Sequence, residues 1–179
     1  EAFAADVSHE LKNPLTSLRS AVETLPFART PEQRDHLVEI VENLSRRRVG
    51  ALIAIERGID LKQYLETGTG MDCEMTPALV YTVFHKGTTL HDGGMIVRMG
   101  DERIAGAGCV FPLSQRELSD QSIGLRHRAA MGITEESDAI ALVVSEETGA
   151  ISIAINGKLE RDLEGEALRE RLNELLGNE

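Results

Sequence analysis

Three short polar clusters, each at the edge of an apolar run, contain side chains that could bind a nucleotide and act on it. They occupy residues 90–94, 124–128 and 145–149. The first offers His91 and Asp92, which are ligand types for hard divalent cations, followed by glycines that let backbone approach a ligand closely. The second offers arginines, whose planar fork matches phosphate, and the third offers further carboxylates. Together the clusters predict a phosphoryl- or nucleotidyl-transfer site.

Two residues of the first cluster each allow two interpretations. Asp92 could be a catalytic base, or it could be the turn aspartate that often precedes glycine. His91 could bind a metal ion, or it could be a loop histidine satisfied by backbone groups. Because the other clusters are present, we favour a functional Asp92, whereas residue type alone leaves His91 open.

The second and third clusters are expected to face a phosphate group. Arg126 and Arg128 could bind phosphate, or they could lie at a solvated helix start with a salt bridge to Glu135 or Glu136. Cations at a helix N-terminus oppose its dipole unless an anion is bound there, which favours phosphate. Residues 145–146 end an apolar strand, where ligand-facing residues of α/β sheets tend to lie.

The segments that must position these clusters alternate between strand-like and helix-like patterns. Strands are predicted at residues 49–55, 95–99, 103–111, 139–145, 150–156 and 158–163, and helices at 31–48, 60–66, 74–85, 122–132 and 165–176. Residues 67–70 are predicted to form a turn. Gly106 and Gly108, inside a predicted strand, indicate that a ligand or a partner backbone approaches closely there. The expected fold is α/β, with a mixed β-sheet flanked by helices and an N-terminal helical hairpin.

The N-terminal segment has a different pattern from the rest of the chain. Residues 1–25 carry a narrow apolar stripe with spacings of three and four, which suits a two-helix hairpin or a dimeric bundle. Breaks follow at Pro26 and at Thr30-Pro31, where the second helix begins. We therefore divide the chain into a dimerising hairpin, residues 1–45, and a nucleotide domain, residues 46–179.

Composition limits the partners of this chain. The net charge of −11 argues against nucleic-acid binding, which depends on many Lys and Arg contacts to phosphate. Positive charge for a nucleotide must then be concentrated locally, through the two arginines and a divalent metal. Cys73 and Cys109 are too far apart in sequence to match a metal-binding motif. We expect them to be buried free thiols in a reducing cytosol. With no run long enough to cross a bilayer and no signal peptide, a cytoplasmic location is expected.

The two central motifs resemble those of the diadenylate cyclase domain. The family's DGA motif stands here as Asp92-Gly93-Gly94 and its RHR motif as Arg126-His127-Arg128, within a resemblance that runs from about residue 38 to residue 176. Residues 111–114, 145–149 and 156–158 also fall in the expected order. The resemblance implies that two ATP molecules are condensed into cyclic di-AMP and two pyrophosphates, with Mn2+ or Mg2+. It also implies one ATP per protomer in a face-to-face homodimer.

The resemblance assigns a role to each cluster. Asp92 would orient or deprotonate the attacking 3′-hydroxyl, and His91 with Asp92 would hold the metal. Arg126 and Arg128 would grip the triphosphate with support from His127, and Glu146 would join the metal or phosphate site. The remaining expected ATP contacts are Gly93, Gly94, Val110, Phe111, Leu113, Ser114, Leu125, Ser145 and Thr148. Val110 and Phe111 could instead be ordinary hydrophobic core residues that do not contact ATP.

Two positions depart from the family pattern. Gly94 stands where the motif has alanine, and Leu125 stands where many relatives carry a threonine that touches phosphate. The loss of one methyl group at Gly94 is expected to be tolerated, whereas the loss of a hydroxyl donor at Leu125 bears on the rate more than on the reaction. The alternative function is a catalytically weak ATP-binding signalling module that the hairpin dimerises.

The segment from residue 7 to residue 16 resembles the H-box of the histidine kinase dimerisation and histidine-phosphotransfer domain. By this resemblance His9 would be the phosphoacceptor, Glu10 its adjacent acid, and the hairpin half of a homodimeric four-helix bundle. The chain lacks the Asn- and Gly-rich boxes of a kinase ATP-binding domain. We therefore favour a purely dimerising hairpin with an exposed His9, in a natural or an engineered fusion.

Overall fold

The computed structural model describes residues 30–177. The predicted hairpin of residues 1–25 and the candidate phosphoacceptor His9 lie outside this range. The helices are α1 (Pro31–Arg46), α2 (Lys62–Leu65), α3 (Pro77–Phe84), α4 (Leu125–Glu136) and α5 (Gly165–Gly177). The strands are β1 (Ala51–Glu56), β2 (Thr69–Glu74), β3 (Gly94–Arg98), β4 (Arg103–Cys109), β5 (Ile140–Val144), β6 (Ile151–Ile155) and β7 (Lys158–Glu160).

The seven strands form one sheet in the order β2-β4-β3-β1-β5-β6-β7. The central pair, β1 and β3, is parallel, and every other neighbouring pair is antiparallel. The predicted mixed sheet flanked by helices is therefore confirmed. Among residues 30–177, no helix is long and apolar enough to cross a membrane.

Helices cover both faces of the sheet, because alternate residues of each central strand point to opposite sides. Along β1, Ile53 and Ile55 pack in a cluster with α1, α3 and α5. Leu52 and Ala54 pack on the other side with α2 and α4. The result is a three-layer arrangement with β1 and β5 at its centre.

The α4 face of the sheet is built from small residues, which brings that helix close to the strands. Alanines dominate this layer on both the helix and the sheet: Ala54, Ala129, Ala130, Ala139, Ala141 and Ala154. Gly132 of α4 lies so close to the loop that precedes this helix that a Cβ there would clash with the Pro112 carbonyl oxygen. The N-terminus of α4, with its arginines, is thus held at a fixed place on the sheet.

Helix α1 belongs to the same core as the sheet. It begins with a capping box, in which Thr30 Oγ1 accepts from the Gln33 N–H and Gln33 Oε1 accepts from the Thr30 N–H. It also contacts α5, where Arg34 Nε donates to Asn173 Oδ1 at 2.6 Å. The domain boundary at residue 45 stays a prediction, because the hairpin before residue 30 is not described.

Strand β2 corrects the predicted turn at residues 67–70 and the predicted helix start at Glu74. Residues Thr69–Glu74 form an edge strand that pairs with β4, and α3 begins only at Pro77 after the N-cap Thr76. No residue of this strand is fully buried, and only Met71 and Cys73, which alternate with Asp72 and Glu74, pack against the core, so its apolar alternation is short. The close approach at Gly106 comes from the same chain, because a Cβ there would lie 2.6 Å from the Thr69 carbonyl oxygen.

Candidate nucleotide site

The three polar clusters meet at one edge of the sheet. Because β1 and β3 are parallel and β5 is antiparallel to β1, the starts of β1 and β3 lie beside the end of β5. In register, Ala51 is opposite Val144, and Gly94 begins β3. This topology places residues 91–94 and 145–147 together, and the N-terminus of α4 lies over them.

Two adjoining cavities lie at this edge. The polar cavity, of about 380 Å³, is lined by Asp92, Gln121, Ser122, Gly124, Leu125, Arg126, His127, Val143, Val144, Ser145, Glu146 and Glu147. The apolar cavity, of about 250 Å³, is lined by Leu52, Asp92, Gly93, Gly94, Cys109, Val110, Phe111, Leu113, Leu125, Arg126 and Ala129. Asp92, Leu125 and Arg126 line both cavities. An apolar compartment joined to a polar one suits a ligand with a flat ring at one end and phosphates at the other.

Arg126 lies at the junction of the two cavities. Its guanidinium donates to the His91 carbonyl oxygen at 3.2 Å and lies 3.6 Å from a carboxylate oxygen of Glu146. A Cβ at residue 50 would stand 2.7 Å from Arg126 Nη1, so Gly50 makes room for the guanidinium. Arg126 Nε is buried and has no hydrogen-bond partner within residues 30–177. A buried donor of this kind suits an anionic ligand.

His127 is buried and held in one tautomer by the start of its own helix. The Gly124 N–H donates to His127 Nδ1 at 3.3 Å, which places the proton of the neutral ring on Nε2. Burial lowers the pKa of His127, and the positive charges of Arg161 and Arg126 lower it further against the opposing effect of Asp120. The ring is therefore neutral at pH 7 and lines the polar cavity as an N–H donor.

A network centred on Arg161 holds the turn that leads into α4. Arg161 pairs with the Asp120 carboxylate and donates to Ser122 Oγ at 2.9 Å. Asp120 also accepts from the Ser122 N–H at 2.8 Å, and its hydrogen bonds to Ser122 come first in lowering its pKa, before its ion pair with Arg161. This network is not apparent in the sequence, since Arg161 is about 40 residues from its partners and local spacing gives no signal.

His91 and Asp92 form the pair that a divalent cation would fit. His91 Nδ1 donates to the Thr88 carbonyl oxygen at 2.6 Å, so the lone pair of its Nε2 faces Asp92 Oδ1 at 3.1 Å. Two acceptors at that distance repel unless a proton or a cation lies with them. Adjacent ligands of a Mg2+ ion with bonds of about 2.1 Å lie about 3 Å apart. Groups of three or more His, Cys, Asp or Glu arranged for a metal are absent from residues 30–177, so phosphate or water oxygens would complete the coordination.

Three of the predicted ATP contacts lie outside both cavities. Arg128 donates to the carbonyl oxygens of Ser114 and Arg116, at 3.4 and 3.3 Å, rather than pairing with Glu135 or Glu136. Ser114 Oγ donates to Glu135 at 2.6 Å. Thr148 forms part of the turn after β5, where its N–H donates to Ser145 Oγ at 3.3 Å. These residues hold loops that border the cavities.

The rim of the apolar cavity is formed by exposed apolar side chains. Leu125 is 72% exposed, Val110 65% and Leu113 44%, and together with Ile59 they are the large exposed hydrophobic residues of the described chain. Phe111 is buried and forms the cavity wall, where its ring meets that of Tyr64 edge-on at 6.0 Å. Of the two alternatives for the Val110-Phe111 pair, Val110 therefore lies at the rim and Phe111 in the core.

Comparison with known proteins identifies the class of this domain. Residues 38–159 match the family described as DisA bacterial checkpoint controller nucleotide-binding. The chain belongs to this family of nucleotide-binding domains. It is 40% identical over 136 residues to the cyclic di-AMP synthase CdaA of Bacillus subtilis, covering 76% of this chain and 49% of that protein. It is 39% identical over 168 residues to a diadenylate cyclase of Listeria monocytogenes, covering 91% of this chain and 61% of that protein.

A solved structure supports the fold, and a second family model matches the N-terminus. The crystal structure of a double mutant of DacA from Staphylococcus aureus aligns with a TM-score of 0.76 at 41% identity, covering 81% of this chain and 95% of that chain. Residues 1–49 match the histidine kinase A phospho-acceptor domain. The chain spans 49% and 61% of the length of the two bacterial cyclases named above.

Proposed function

We propose that this domain is a diadenylate cyclase, which condenses two ATP molecules into cyclic di-AMP and releases two pyrophosphates. The observation that carries the proposal is the junction of an apolar and a polar cavity at Asp92 and Arg126. The names of relatives at about 40% identity support it. Because ATP is the substrate, we expect the domain to act in the cytoplasm.

The adenine ring is accommodated by the apolar cavity, against Phe111 and beneath the rim residues Val110 and Leu113. The triphosphate lies in the polar cavity, where the Arg126 guanidinium neutralises its charge and His127 Nε2–H donates to one of its oxygens. This places the α-phosphorus near the junction, where Asp92 and Arg126 line both cavities. Positioning and charge neutralisation are the main means of catalysis in phosphoryl-group chemistry.

Asp92 accepts or orients the proton of the attacking 3′-hydroxyl. That oxygen forms a bond to the α-phosphorus of the other ATP, and the bond from that phosphorus to the pyrophosphate oxygen breaks. The Asp92 side chain is 87% exposed at the cavity mouth, so it can face a nucleotide held by a second protomer. The same step repeated in the opposite direction closes the ring.

A homodimer completes the site, because each protomer holds one ATP and the reaction needs two. Face-to-face pairing would cover the rim residues Val110, Leu113 and Leu125, which otherwise remain exposed apolar side chains. The cavity mouth with Asp92 would then face the partner's nucleotide. If the N-terminal hairpins also pair, a higher homo-oligomer would form. If they pair instead of the cavity faces, a different dimer would form.

Diadenylate cyclase activity generally requires a divalent metal. We infer that His91 and Asp92 hold Mn2+ or Mg2+, on the basis of their 3.1 Å separation and the hydrogen bond that orients the imidazole. When bound, the ion supplies positive charge that polarises phosphate oxygens and favours departure of pyrophosphate. Glu146, which lies beside Arg126, orients that guanidinium and adds negative charge close to the metal.

A second candidate function is an ATP-binding module with low turnover. It is favoured by Leu125, whose apolar side chain begins α4 and lines both cavities in place of a hydroxyl donor. In this case nucleotide binding and dimerisation would persist while product forms slowly. The two candidates differ in rate, so product analysis separates them.

The test is product identification by chromatography and mass spectrometry after incubation with ATP and Mn2+ or Mg2+. Wild-type protein is expected to form cyclic di-AMP, and Asp92→Asn to lose at least about 100-fold in rate, as expected for loss of a general base. Asp101→Asn, in the exposed β3–β4 turn, is the matched control and should retain activity. Full activity in Asp92→Asn would refute the role of Asp92. If the wild-type protein binds 3′-deoxy-ATP, which lacks the attacking hydroxyl, but converts ATP only slowly, the second candidate is supported.

A further inference from the structure

A third cleft opens on the other side of Arg126 and is rich in cations. This basic cleft, of about 460 Å³, is lined by Arg47, Arg48, His85, Lys86, His91 and Arg126 among others. It lies between the C-terminal end of α1, the end of α3 and the loop before β3. None of the roles proposed above uses Arg47, Arg48 or Lys86.

The charge of the basic cleft contrasts with that of the chain. Four of its lining residues carry permanent positive charge against two carboxylates, Glu146 and Glu147. The whole chain carries a net charge of −11. Like charges held around one concave surface repel, and an anion placed among them removes that repulsion. The local excess of positive charge therefore indicates an anionic ligand.

Two arginines of the cleft, Arg47 and Arg48, contact neighbouring groups. The Arg47 guanidinium lies 4.7 Å from the centre of the Tyr81 ring, a cation–π contact. Arg48 has a φ of 51°, a left-handed backbone conformation that is unusual for arginine. A Cβ at Gly149 would lie 3.5 Å from Arg48 Cγ, so the Arg48 stem packs against the turn that follows β5. These contacts direct the stems of the two arginines along the wall of the cleft.

The basic cleft adjoins the polar cavity. Arg126, Glu146 and Glu147 line both of them. A phosphate group that leaves the polar cavity on this side would pass the Arg126 guanidinium, with Glu146 and Glu147 beside it. In a face-to-face dimer the mouth at Asp92 is covered by the partner, so a leaving group needs a route of this kind.

We propose that the basic cleft binds the pyrophosphate released during the reaction and provides its route out of the dimer. The inference rests on the proposed cyclase function, which supplies this leaving group. A free pyrophosphate, alone or with Mg2+, carries several negative charges and is small enough for the cleft. Arg126 then acts first on the ATP triphosphate and afterwards on the departing pyrophosphate.

The test compares pyrophosphate affinity in variants of the cleft. Lys86→Gln and Arg47→Gln each remove one charge, and Arg46→Gln is the matched control, since Arg46 is an exposed arginine at the same helix end but does not line the cleft. Sodium pyrophosphate is titrated by calorimetry, with and without Mg2+, and its inhibition of cyclic di-AMP formation is measured separately. Each cleft variant is expected to bind pyrophosphate about three- to tenfold more weakly, with Arg46→Gln unchanged.

Affinity for 3′-deoxy-ATP, which cannot attack, separates the cleft from the nucleotide site. It is expected to change less than twofold in the cleft variants. Equal pyrophosphate affinity in wild type and in both cleft variants would overturn the inference. An equal loss for 3′-deoxy-ATP and pyrophosphate would also overturn it, because the cleft would then be part of the triphosphate site. If wild-type protein forms no cyclic di-AMP at all, the proposed function fails instead, and calorimetry still reports on the cleft.

Discussion

The ring of Phe111 fills the space that a methyl group on residue 94 would occupy. A Cβ built on Gly94 would stand 2.2 Å from Phe111 Cε2, far inside van der Waals contact. Phe111 is itself held from behind by the edge of Tyr64. Glycine at residue 94, where the family has alanine, therefore leaves the space that the Phe111 ring occupies in the wall of the apolar cavity.

We predict that Gly94→Ala damages the site and that Phe111→Leu repairs it. The alanine methyl would displace the Phe111 ring, at a cost of about 1–3 kcal/mol typical of overpacking. In the double variant a smaller side chain leaves room for the methyl group. Free energies of unfolding from urea denaturation and cyclic di-AMP rates should both show the loss and its recovery. Additive losses in the double variant would contradict this steric account.

Arg161 is predicted to act as a positioning residue for the polar cavity. Arg161→Gln frees the turn at residues 120–124, so we expect about a tenfold loss in kcat/KM, mostly through KM for ATP. Arg161→Lys keeps the charge but not the forked contact to Asp120 and Ser122, and should recover part of the loss. A nearly unchanged loss when Asp120→Asn is added would confirm that both residues act through the same turn.

The control for Arg161 is Arg171→Gln. Arg171 has similar exposure and pairs with Glu160 and Glu174, away from both cavities. The Arg171→Gln variant removes the same charge and a comparable ion pair. It therefore shows how much activity is lost through a general loss of stability. If both variants lose activity to the same extent, Arg161 has only a structural role.

Stability is predicted to depend on pH through His127. Burial lowers the pKa of His127 in the folded state below its ordinary value of 6.5, so the unfolded chain takes up this proton first as pH falls. The free energy of unfolding should therefore decrease below about pH 6.5. His127→Gln should reduce that slope, as measured by urea denaturation between pH 7.5 and pH 5. An unchanged slope would show that His127 does not titrate in this way.

Leu125→Thr is predicted to raise the rate of product formation. Its hydroxyl would add a donor at the start of α4, and one such hydrogen bond is worth about 0.5–1.5 kcal/mol, or about two- to tenfold in rate. Valine has the same shape as threonine but no hydroxyl, so Leu125→Val controls for the smaller side chain at the exposed rim. If threonine and valine behave alike, the hydroxyl has no phosphate contact.

The buried strands of the sheet could be predicted from sequence, but its polar edge could not. The run at residues 140–144 is buried throughout and reads as a strand from its composition alone. Strand β2 gives a weaker signal, because only Met71 and Cys73 are partly buried and the strand depends on its pairing with β4. Short-range patterns describe burial well and describe pairing between distant segments poorly.

The same distinction holds in the candidate site. The sequence motifs predicted a shared site for His91, Asp92, Arg126 and His127. The pairing of β1 with β3 and β5, with the N-terminus of α4 over the same edge, explains why they lie together. Arg161 could not be found, since its role depends on a contact between segments far apart in the chain. Arg128 has the residue type of a phosphate ligand, but its position in α4 directs it to the carbonyl oxygens of Ser114 and Arg116.

The most direct test of the account is the rate of cyclic di-AMP formation as a function of protein concentration, at saturating ATP and divalent metal. If two protomers each contribute one ATP, the rate per milligram should rise with protein concentration at low concentration and level off once the dimer is formed. Cyclic di-AMP is expected as the product across this range. Formation at a constant rate per milligram down to nanomolar protein would contradict assembly of the site by transient pairing. A complete lack of product, with 3′-deoxy-ATP still bound, would contradict the cyclase function itself.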